Sequence, residues 1–160
     1  MAGQVVCDIR RYRSCDLRSL GRIYAASIRH LGPQRYTECQ VAAWSSFPDE
    51  GGRFANWIED ASTIVAVTEQ GECIGFGGIE ESGHITALFV SPPYQRRGVG
   101  SRLLERLLSV AGDSGCRTVS TAASEFSRPL FERFGFRVQE IEQTVFKDVT
   151  FQRYLMQSRL

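Results

Sequence analysis

The chain has 160 residues, of which 42% are hydrophobic and 23% are charged, and this composition suits one globular domain over residues 1–160. A formal net charge of +1 argues against a general nucleic-acid-binding surface, and no apolar run approaches the roughly 20 residues that a membrane-spanning helix needs. The polar, basic N-terminus lacks the apolar segment of a secretory signal, so we expect a cytoplasmic protein.

A strand and a long helix are predicted at the start of the chain. Residues 5–12 alternate loosely between apolar and polar side chains, which indicates a strand. Apolar residues then recur at helical spacing over residues 17–31, where Ser14 or Asp16 can cap the N-terminus. Gly32-Pro33 ends this helix, because proline cannot continue it.

Two short helices and three antiparallel strands are predicted next. The helices lie at residues 36–47 and around residues 54–58, where large apolar side chains share one side. Three runs rich in apolar and β-branched residues follow, and the short polar turns between them favour pairing of neighbouring strands. These runs lie at residues 63–69, 73–79 and 85–90.

The second half of the chain is predicted to alternate between helices and strands. A helix at residues 99–114 precedes a strand at 117–122, which must lie parallel to the last strand of the meander because the helix crosses over between them. A helix near residues 127–134 and a hairpin at 136–146 and 149–156 follow. This order predicts an α/β protein with a mixed sheet.

The junction before the helix at residues 99–114 has the character of an anion site. Gly98 and Gly100 allow a bulky group to approach the unpaired backbone N–H groups of the first helical turn, and Arg96 and Arg97 add positive charge. An ordinary βα turn with two glycines is the alternative. Neither the Walker pattern G-x-x-x-x-G-K-[ST] nor the dinucleotide pattern G-x-G-x-x-G is present.

Two motifs carry a family resemblance. The segment Gln95-Arg96-Arg97-Gly98-Val99-Gly100, with the strand Leu88-Phe89-Val90 before it, resembles the acetyl-CoA-binding motif of the GNAT superfamily of N-acetyltransferases, whose core reads Q/R-x-x-G-x-G/A. The segment 131–136, FERFGF, resembles the family's next motif, Tyr/Phe-x-x-x-Gly-Phe. The resemblance implies the GNAT fold, a mostly antiparallel mixed sheet with one splayed parallel strand pair, and acetyl-CoA as co-substrate.

The resemblance also implies which residues bind acetyl-CoA. In GNAT proteins the pantetheine arm pairs with the free edge of the splayed strand, and the pyrophosphate binds the backbone of the glycine loop. Ser124 and Phe131 stand where the family commonly has asparagine and tyrosine. The implied cofactor-binding residues are Leu88, Phe89, Val90, Arg96, Arg97, Gly98, Val99, Gly100, Ser101, Ser124 and Phe131.

His84 is the first candidate for the general base of acetyl transfer. It begins the strand that ends at Val90, at a position where many GNAT enzymes carry a glutamate base, and imidazole titrates near neutral pH. Glu80 and Glu81 are the second candidates. The alternative for each is a solvated side chain at a strand end.

The resemblance implies that the backbone N–H of Val90 stabilises the oxyanion. The general acid is where the chain departs from the family pattern, because Phe131 replaces the tyrosine that many family members use to protonate the CoA thiolate. Tyr154, on the last predicted strand, is the preferred acid, ahead of Tyr94 in the cofactor loop. The thiolate can also leave without an acid, since its pKa is modest.

The acceptor amine is predicted to bind beside the second helix. Tyr36, Gln40 and Trp44 follow one another at helical i, i+4, i+8 spacing, which places them on one face of that helix. The two aromatic residues fit an ordinary core stripe equally well, whereas Gln40 favours a pocket wall.

These features favour a cytoplasmic acetyltransferase that moves the acetyl group of acetyl-CoA directly to a primary amine of a small molecule or peptide. The alternatives are a non-catalytic acyl-CoA-binding or regulatory module and a phosphate binder unrelated to CoA. A homodimer is possible through exposed strand edges, and no metal, nucleic acid or membrane partner is expected. The five cysteines form no C-x-x-C pair and are expected to be free, buried thiols: Cys7, Cys15, Cys39, Cys73 and Cys116.

Overall fold

A computed structural model describes residues 3–160, which form seven strands and five α-helices joined by short turns. The strands are β1 (Asp8–Arg11), β2 (Ser62–Val67), β3 (Cys73–Ile79), β4 (His84–Val90), β5 (Thr118–Ala123), β6 (Arg137–Phe146) and β7 (Val149–Arg159). The helices are α1 (Leu17–Leu31), α2 (Glu38–Ser45), α3 (Gly52–Glu59), α4 (Val99–Asp113) and α5 (Arg128–Arg133). The predicted order of elements and the α/β class are confirmed.

All seven strands belong to one sheet with the order β1-β2-β3-β4-β5-β7-β6. Every neighbouring pair is antiparallel except β4 and β5, which the helix α4 connects as a parallel crossover. The last strand along the chain, β7, lies between β5 and β6. The predicted mostly antiparallel sheet with one parallel pair is therefore confirmed.

Helices cover both faces of the sheet. On one face, the α4 face, the buried leucines of α4 pack with Phe131 of α5 and with the sheet. On the opposite face, the α1 face, Leu20 of α1 and Phe54 and Ile58 of α3 pack against Phe76. Leucine and isoleucine spaced three or four positions apart give each helix one apolar side, and burial of that side provides the main driving force for docking.

The parallel pair separates soon after it begins. Only His84 with Ser120 and Ile85 with Thr121 are paired between β4 and β5, although the two strands have seven and six residues. Beyond Ile85 the two strands diverge. The splay that the family resemblance implied is present at the carboxyl ends of both strands.

A β-bulge in β4 was not predicted. Ile79 of β3 pairs with Ile85, and Gly78 pairs with Ala87, so Thr86 is an extra residue on β4. Ile85 packs on the α4 face, whereas Ala87 packs on the α1 face. The bulge thus shifts the alternation of side chains midway along the strand that borders the splay.

Two details differ from the sequence predictions. Helix α2 begins at Glu38 rather than at residue 36, because Thr37 caps it: the Thr37 hydroxyl accepts the Gln40 N–H at 3.2 Å. All five cysteines are free, but Cys15 and Cys39 are exposed, so the expectation that all are buried is wrong for these two.

Asp16 links β1 to the start of α1. Its carboxylate is 5% exposed, accepts two hydrogen bonds from the Arg10 guanidinium at 2.8 and 2.9 Å, and accepts the Arg13 backbone N–H at 2.8 Å. These donors, led by Arg10, hold the pKa of Asp16 below its ordinary value despite the opposing effect of burial. A buried carboxylate with matched donors stabilises the fold only while it is ionised.

We expect Asp16→Asn to lower the free energy of unfolding by about 2 kcal/mol at neutral pH, because an amide cannot replace the charged pair with Arg10. A depressed pKa gives stability above the ordinary aspartate value of 3.8 that is lost as the pH falls further. Urea titrations at several pH values should show the difference between the two proteins shrinking only in that acidic range. A matched change at exposed Asp113 should leave stability nearly unchanged, and a loss at Asp16 that persisted in acid would contradict the ion pair.

Candidate functional site

The edge of β4 that faces the splay has free backbone groups. Ser91 N–H donates to Ile74 O at 2.8 Å, which directs the polar groups of Ser91 toward β3. The backbone N–H and C=O groups of successive strand residues point to alternate edges of the strand. Those of Leu88 and Val90 therefore point away from β3, toward β5. Pairing with β5 ends at Ile85, so these groups border the open splay.

A glycine loop with free N–H groups follows directly. Arg96 and Gly98 adopt left-handed backbone conformations with φ of 60° and 86°, and Val99 begins α4. Among residues 3–160, no protein acceptor takes the backbone N–H of any residue from 96 to 101. Successive N–H groups in such a turn form an anion-binding concavity, and the helix dipole adds positive potential.

Gln95 joins the glycine loop to the splay. Its side-chain amide donates to the backbone oxygen of Val90 at 2.9 Å. This contact fixes the start of the loop beside the free edge of β4. A single ligand with amides and a diphosphate can therefore contact both features at once.

The two loop arginines differ in their contacts. Arg97 donates from Nε to Gly3 O at 3.1 Å and accepts the Val5 N–H at its backbone oxygen at 3.2 Å, and its guanidinium lies 5.9 Å from the Tyr94 ring centre. The Arg96 side chain is exposed, and no acidic or carbonyl partner holds it within the described chain. Arg96 is thus the side chain that is available to an incoming anion.

On the other side of the splay, Ser124 follows β5. Its hydroxyl accepts the backbone N–H groups of Phe126 and Ser127, each at 3.2 Å, and so shapes the turn into α5. This geometry gives Ser124 a local structural task. Its predicted contact with the cofactor stays a prediction.

Phe131 lies in the hydrophobic core. It is 2% exposed and its ring centre is 5.1 Å from that of Phe136. A Cβ on Gly100 would lie 3.3 Å from Leu130 and 3.8 Å from Val90, so α5 approaches the start of α4 closely. Phe131 lies in the core next to Leu130, which makes this close approach. Its contact with a ligand also stays a prediction.

His84 lies on the α1 face at the paired end of β4. Its Nδ1 is 2.9 Å from the hydroxyl of Ser120, and its neighbour Ile85 projects to the opposite face. At about 3.3 Å per residue, Leu88 is roughly 13 Å and Val90 roughly 20 Å further along the strand. Glu80 and Glu81, the alternative bases, are exposed in the turn before β4.

Tyr154 lies on the α4 face, opposite to His84. It is 5% exposed, donates its hydroxyl to Glu125 Oε1 at 2.5 Å and accepts from the Gln152 amide at 3.2 Å. The Arg128 guanidinium lies 4.5 Å from its ring centre. Glu125 was not identified from the sequence, and its only sequence signal is its place just after a strand that borders the splay.

Tyr36, Gln40 and Trp44 are brought together, but not as one helix face. Tyr36 precedes α2, and its ring packs against Trp44 at 5.5 Å and Phe126 at 5.7 Å. The Gln40 side chain accepts the Thr37 N–H and donates to the Thr150 backbone at 2.9 Å. The aromatic rings border the region between α2, β7 and the turn after β5. The Gln40 hydrogen bond to Thr150 joins α2 to β7 beside this region.

Two absences hold for residues 3–160. They contain no group of three or more His, Cys, Asp or Glu side chains arranged to bind a metal ion. In the same range, no helix combines the length and the apolar character needed to cross a bilayer.

Comparison with known proteins gives a consistent result. A family model described as "Acetyltransferase (GNAT) domain" matches residues 33–158. The uncharacterized N-acetyltransferase YafP of Escherichia coli is 28% identical over 149 residues, which cover 93% of each chain.

Solved structures share the fold. A GCN5-related N-acetyltransferase from Rhodopseudomonas palustris aligns with a TM-score of 0.93 and 28% identity over 100% of this chain and 99% of that one. The paiA N-acetyltransferase of Thermoplasma acidophilum, solved in complex with coenzyme A, aligns with a TM-score of 0.78 over 98% of this chain and 100% of that one. At 17% identity, the second likeness shows the fold alone.

We expect Gly98→Ala to weaken binding of acetyl-CoA roughly five- to tenfold, because a Cβ opposes the left-handed conformation that aims the loop N–H groups. The strain should also lower Tm by about 2–4 °C. Calorimetric titration and thermal melts measure both effects. Gly112→Ala, near the end of α4, is the control, since a Cβ there meets nothing within 4 Å. Equal affinity in the two variants would contradict the assignment of the loop.

Proposed function

This chain belongs to the GNAT family of acetyltransferases and is an acetyl-CoA-dependent N-acetyltransferase, and we propose that it transfers the acetyl group directly to a primary amine of a small molecule or peptide. The observation that carries the proposal is the free edge of β4 at Leu88 and Val90 beside the unpaired N–H groups of residues 96–101. The strand edge offers hydrogen-bond partners for amides, and the loop N–H groups offer partners for a diphosphate. Acetyl-CoA has both groups.

We assign the cofactor contacts accordingly. The backbone groups of Leu88 and Val90 pair with the amides of pantetheine, as an added strand would. The backbone of Phe89, which the resemblance also implied, faces β3 and pairs with Phe76 instead. The backbone from Arg96 to Ser101 binds the pyrophosphate, and the Arg96 guanidinium adds a charge-assisted contact. The bound co-substrate supplies a thioester, whose carbonyl carbon is open to attack by an amine.

In this proposal, His84 removes the proton of the acceptor amine. The contact with the Ser120 hydroxyl fixes the orientation of the imidazole. The N–H of Val90 stabilises the oxyanion. Because His84 is about 20 Å from Val90 along the strand, a proton path through several waters suits the distance better than direct contact.

Tyr154 is the proposed donor to the departing thiolate, a step in which its single hydroxyl proton turns from Glu125 Oε1 to the sulfur. It lies on the face opposite to His84, so the acid and the base would approach the splay from its two sides. Phe131, at the position where many family members have tyrosine, has no proton to give. The acceptor is proposed to contact Tyr36 and Trp44, beside which Gln40 links α2 to β7.

We further propose that residues 1–160 fold as one domain and act in the cytoplasm, where the five free thiols would stay reduced. A homodimer through β6 is proposed as well. This edge strand exposes Ile141 by 56% and Val145 by 65%. Apolar side chains on an open edge favour association with another strand.

Release of free CoA from acetyl-CoA across a panel of amines, amino acids and peptides tests the function. Turnover with at least one primary amine is the expected result. Calorimetric binding of acetyl-CoA without turnover on any amine would overturn catalysis and favour a binding module. Absence of acetyl-CoA binding would overturn the cofactor assignment as well.

We expect His84→Ala to lower kcat/KM for the amine about 100-fold or more near neutral pH, because a general base typically contributes this much. Ser120→Ala should retain part of the activity. His30→Ala changes the other histidine and is the control. An unchanged kcat/KM in His84→Ala would move the role of base to Glu80, Glu81 or a water chain.

We expect Arg96→Ala to raise the Kd for acetyl-CoA roughly fivefold to tenfold, since one charge-assisted contact to phosphate is lost. The loss should diminish at high salt because screening weakens the contact in the wild type. Calorimetry at two salt concentrations measures this. Arg106→Ala, on an exposed turn of α4, is the control, and equal effects of the two changes would refute a specific contact.

A further inference from the structure

Glu125 lies just beyond the strand that borders the splay on the side away from β4. The last parallel pair joins Ile85 of β4 to Thr121 of β5, and β5 ends at Ala123. Glu125 is therefore past the end of the pairing, in the turn that the Ser124 hydroxyl shapes. This places the carboxylate at the open end of the splay, where the acetyl group is proposed to bind.

The carboxylate of Glu125 is held at one oxygen. The buried Tyr154 hydroxyl donates to Oε1 at 2.5 Å, and the Gln152 amide supports that hydroxyl at 3.2 Å. Within residues 3–160, neither a cation nor a hydrogen-bond donor contacts Oε2. A carboxylate with one fixed and one free oxygen is oriented in advance to receive a positively charged donor.

The surroundings of Glu125 also favour a cation. Tyr36 lies close by: burial raises the pKa of its phenol, a hydrogen bond with the Glu125 backbone opposes this rise, and the negative charge of Glu125 adds to it. The Tyr36 ring packs against Phe126, the residue after Glu125, at 5.7 Å. Aromatic faces attract cations, and Arg128, whose guanidinium lies over the Tyr154 ring, has its own carboxylate partner in Glu132 at 2.7 Å.

We propose that Glu125, oriented by Tyr154, binds a second positive charge on the acceptor, so that the enzyme selects amines that carry another cationic group. This inference rests on the proposed acetyl transfer. The carboxylate is a binding group that sets specificity, and Tyr154 has an additional positioning role.

The test compares cadaverine with pentylamine, which have the same chain length but differ by one ammonium group. The wild type should acetylate cadaverine with a kcat/KM at least about tenfold higher, a ratio equal to one ordinary charged contact. In Glu125→Gln the ratio should fall close to one, while the Kd for acetyl-CoA stays unchanged. Glu125→Asp should restore part of the ratio, and Tyr154→Phe should reduce it by a few-fold.

Glu140→Gln, on the exposed edge strand, is the matched control and should keep the wild-type ratio. A wild-type ratio near one, or a ratio that survives Glu125→Gln, would overturn this inference and leave acetyl transfer intact. Failure of the wild type on every amine would instead overturn the proposed function together with this inference. Thermal melts of each variant separate loss of selectivity from loss of folding.

Discussion

The early separation of β4 from β5 is the constraint on which the rest of the structure depends. Two residue pairs hold the parallel strands together. Beyond them, the polar groups of Leu88 and the N–H of Val90 have no strand partner on this edge, and the Val90 oxygen accepts only the Gln95 side chain within the described residues. Unpaired backbone groups at the edge of a core are unfavourable unless water or a ligand satisfies them. The fold therefore maintains a local defect in its sheet, where β4 and β5 separate.

Three neighbouring features position functional groups around this gap between β4 and β5. The bulge at Thr86 alters which side chains of β4 face each helix layer, and Gln95 fixes the glycine loop beside the free edge. Beyond β5, on the side of the splay away from β4, the turn shaped by Ser124 carries Glu125. The residues with proposed chemical roles thus lie on elements that the hydrophobic packing on both faces already holds in place.

The sequence predicted the elements well because their signals are local. Alternation, helical spacing and glycine or proline at the ends mark each strand and helix within a few residues, and the glycine motif identified the family. The bulge at Thr86 left no local signal, because a threonine fits a regular strand equally well. The contact between Glu125 and Tyr154 was also hidden: they are 29 residues apart, and they meet only because β7 pairs with β5 rather than remaining outside β6.

The insertion of β7 between β5 and β6 also concerns how the protein reaches its folded state. The strand that separates these two is synthesised after both, so β5 cannot be joined to β6 until that later strand has arrived. During synthesis, the nascent chain therefore exposes a half-built sheet with one wall of its future site missing. Long-range strand pairings form slowly because loop closure must precede them. Docking of the β6–β7 hairpin onto β5 is therefore a slow, late step. Before it, the unfinished sheet is most exposed to aggregation and to binding by chaperones.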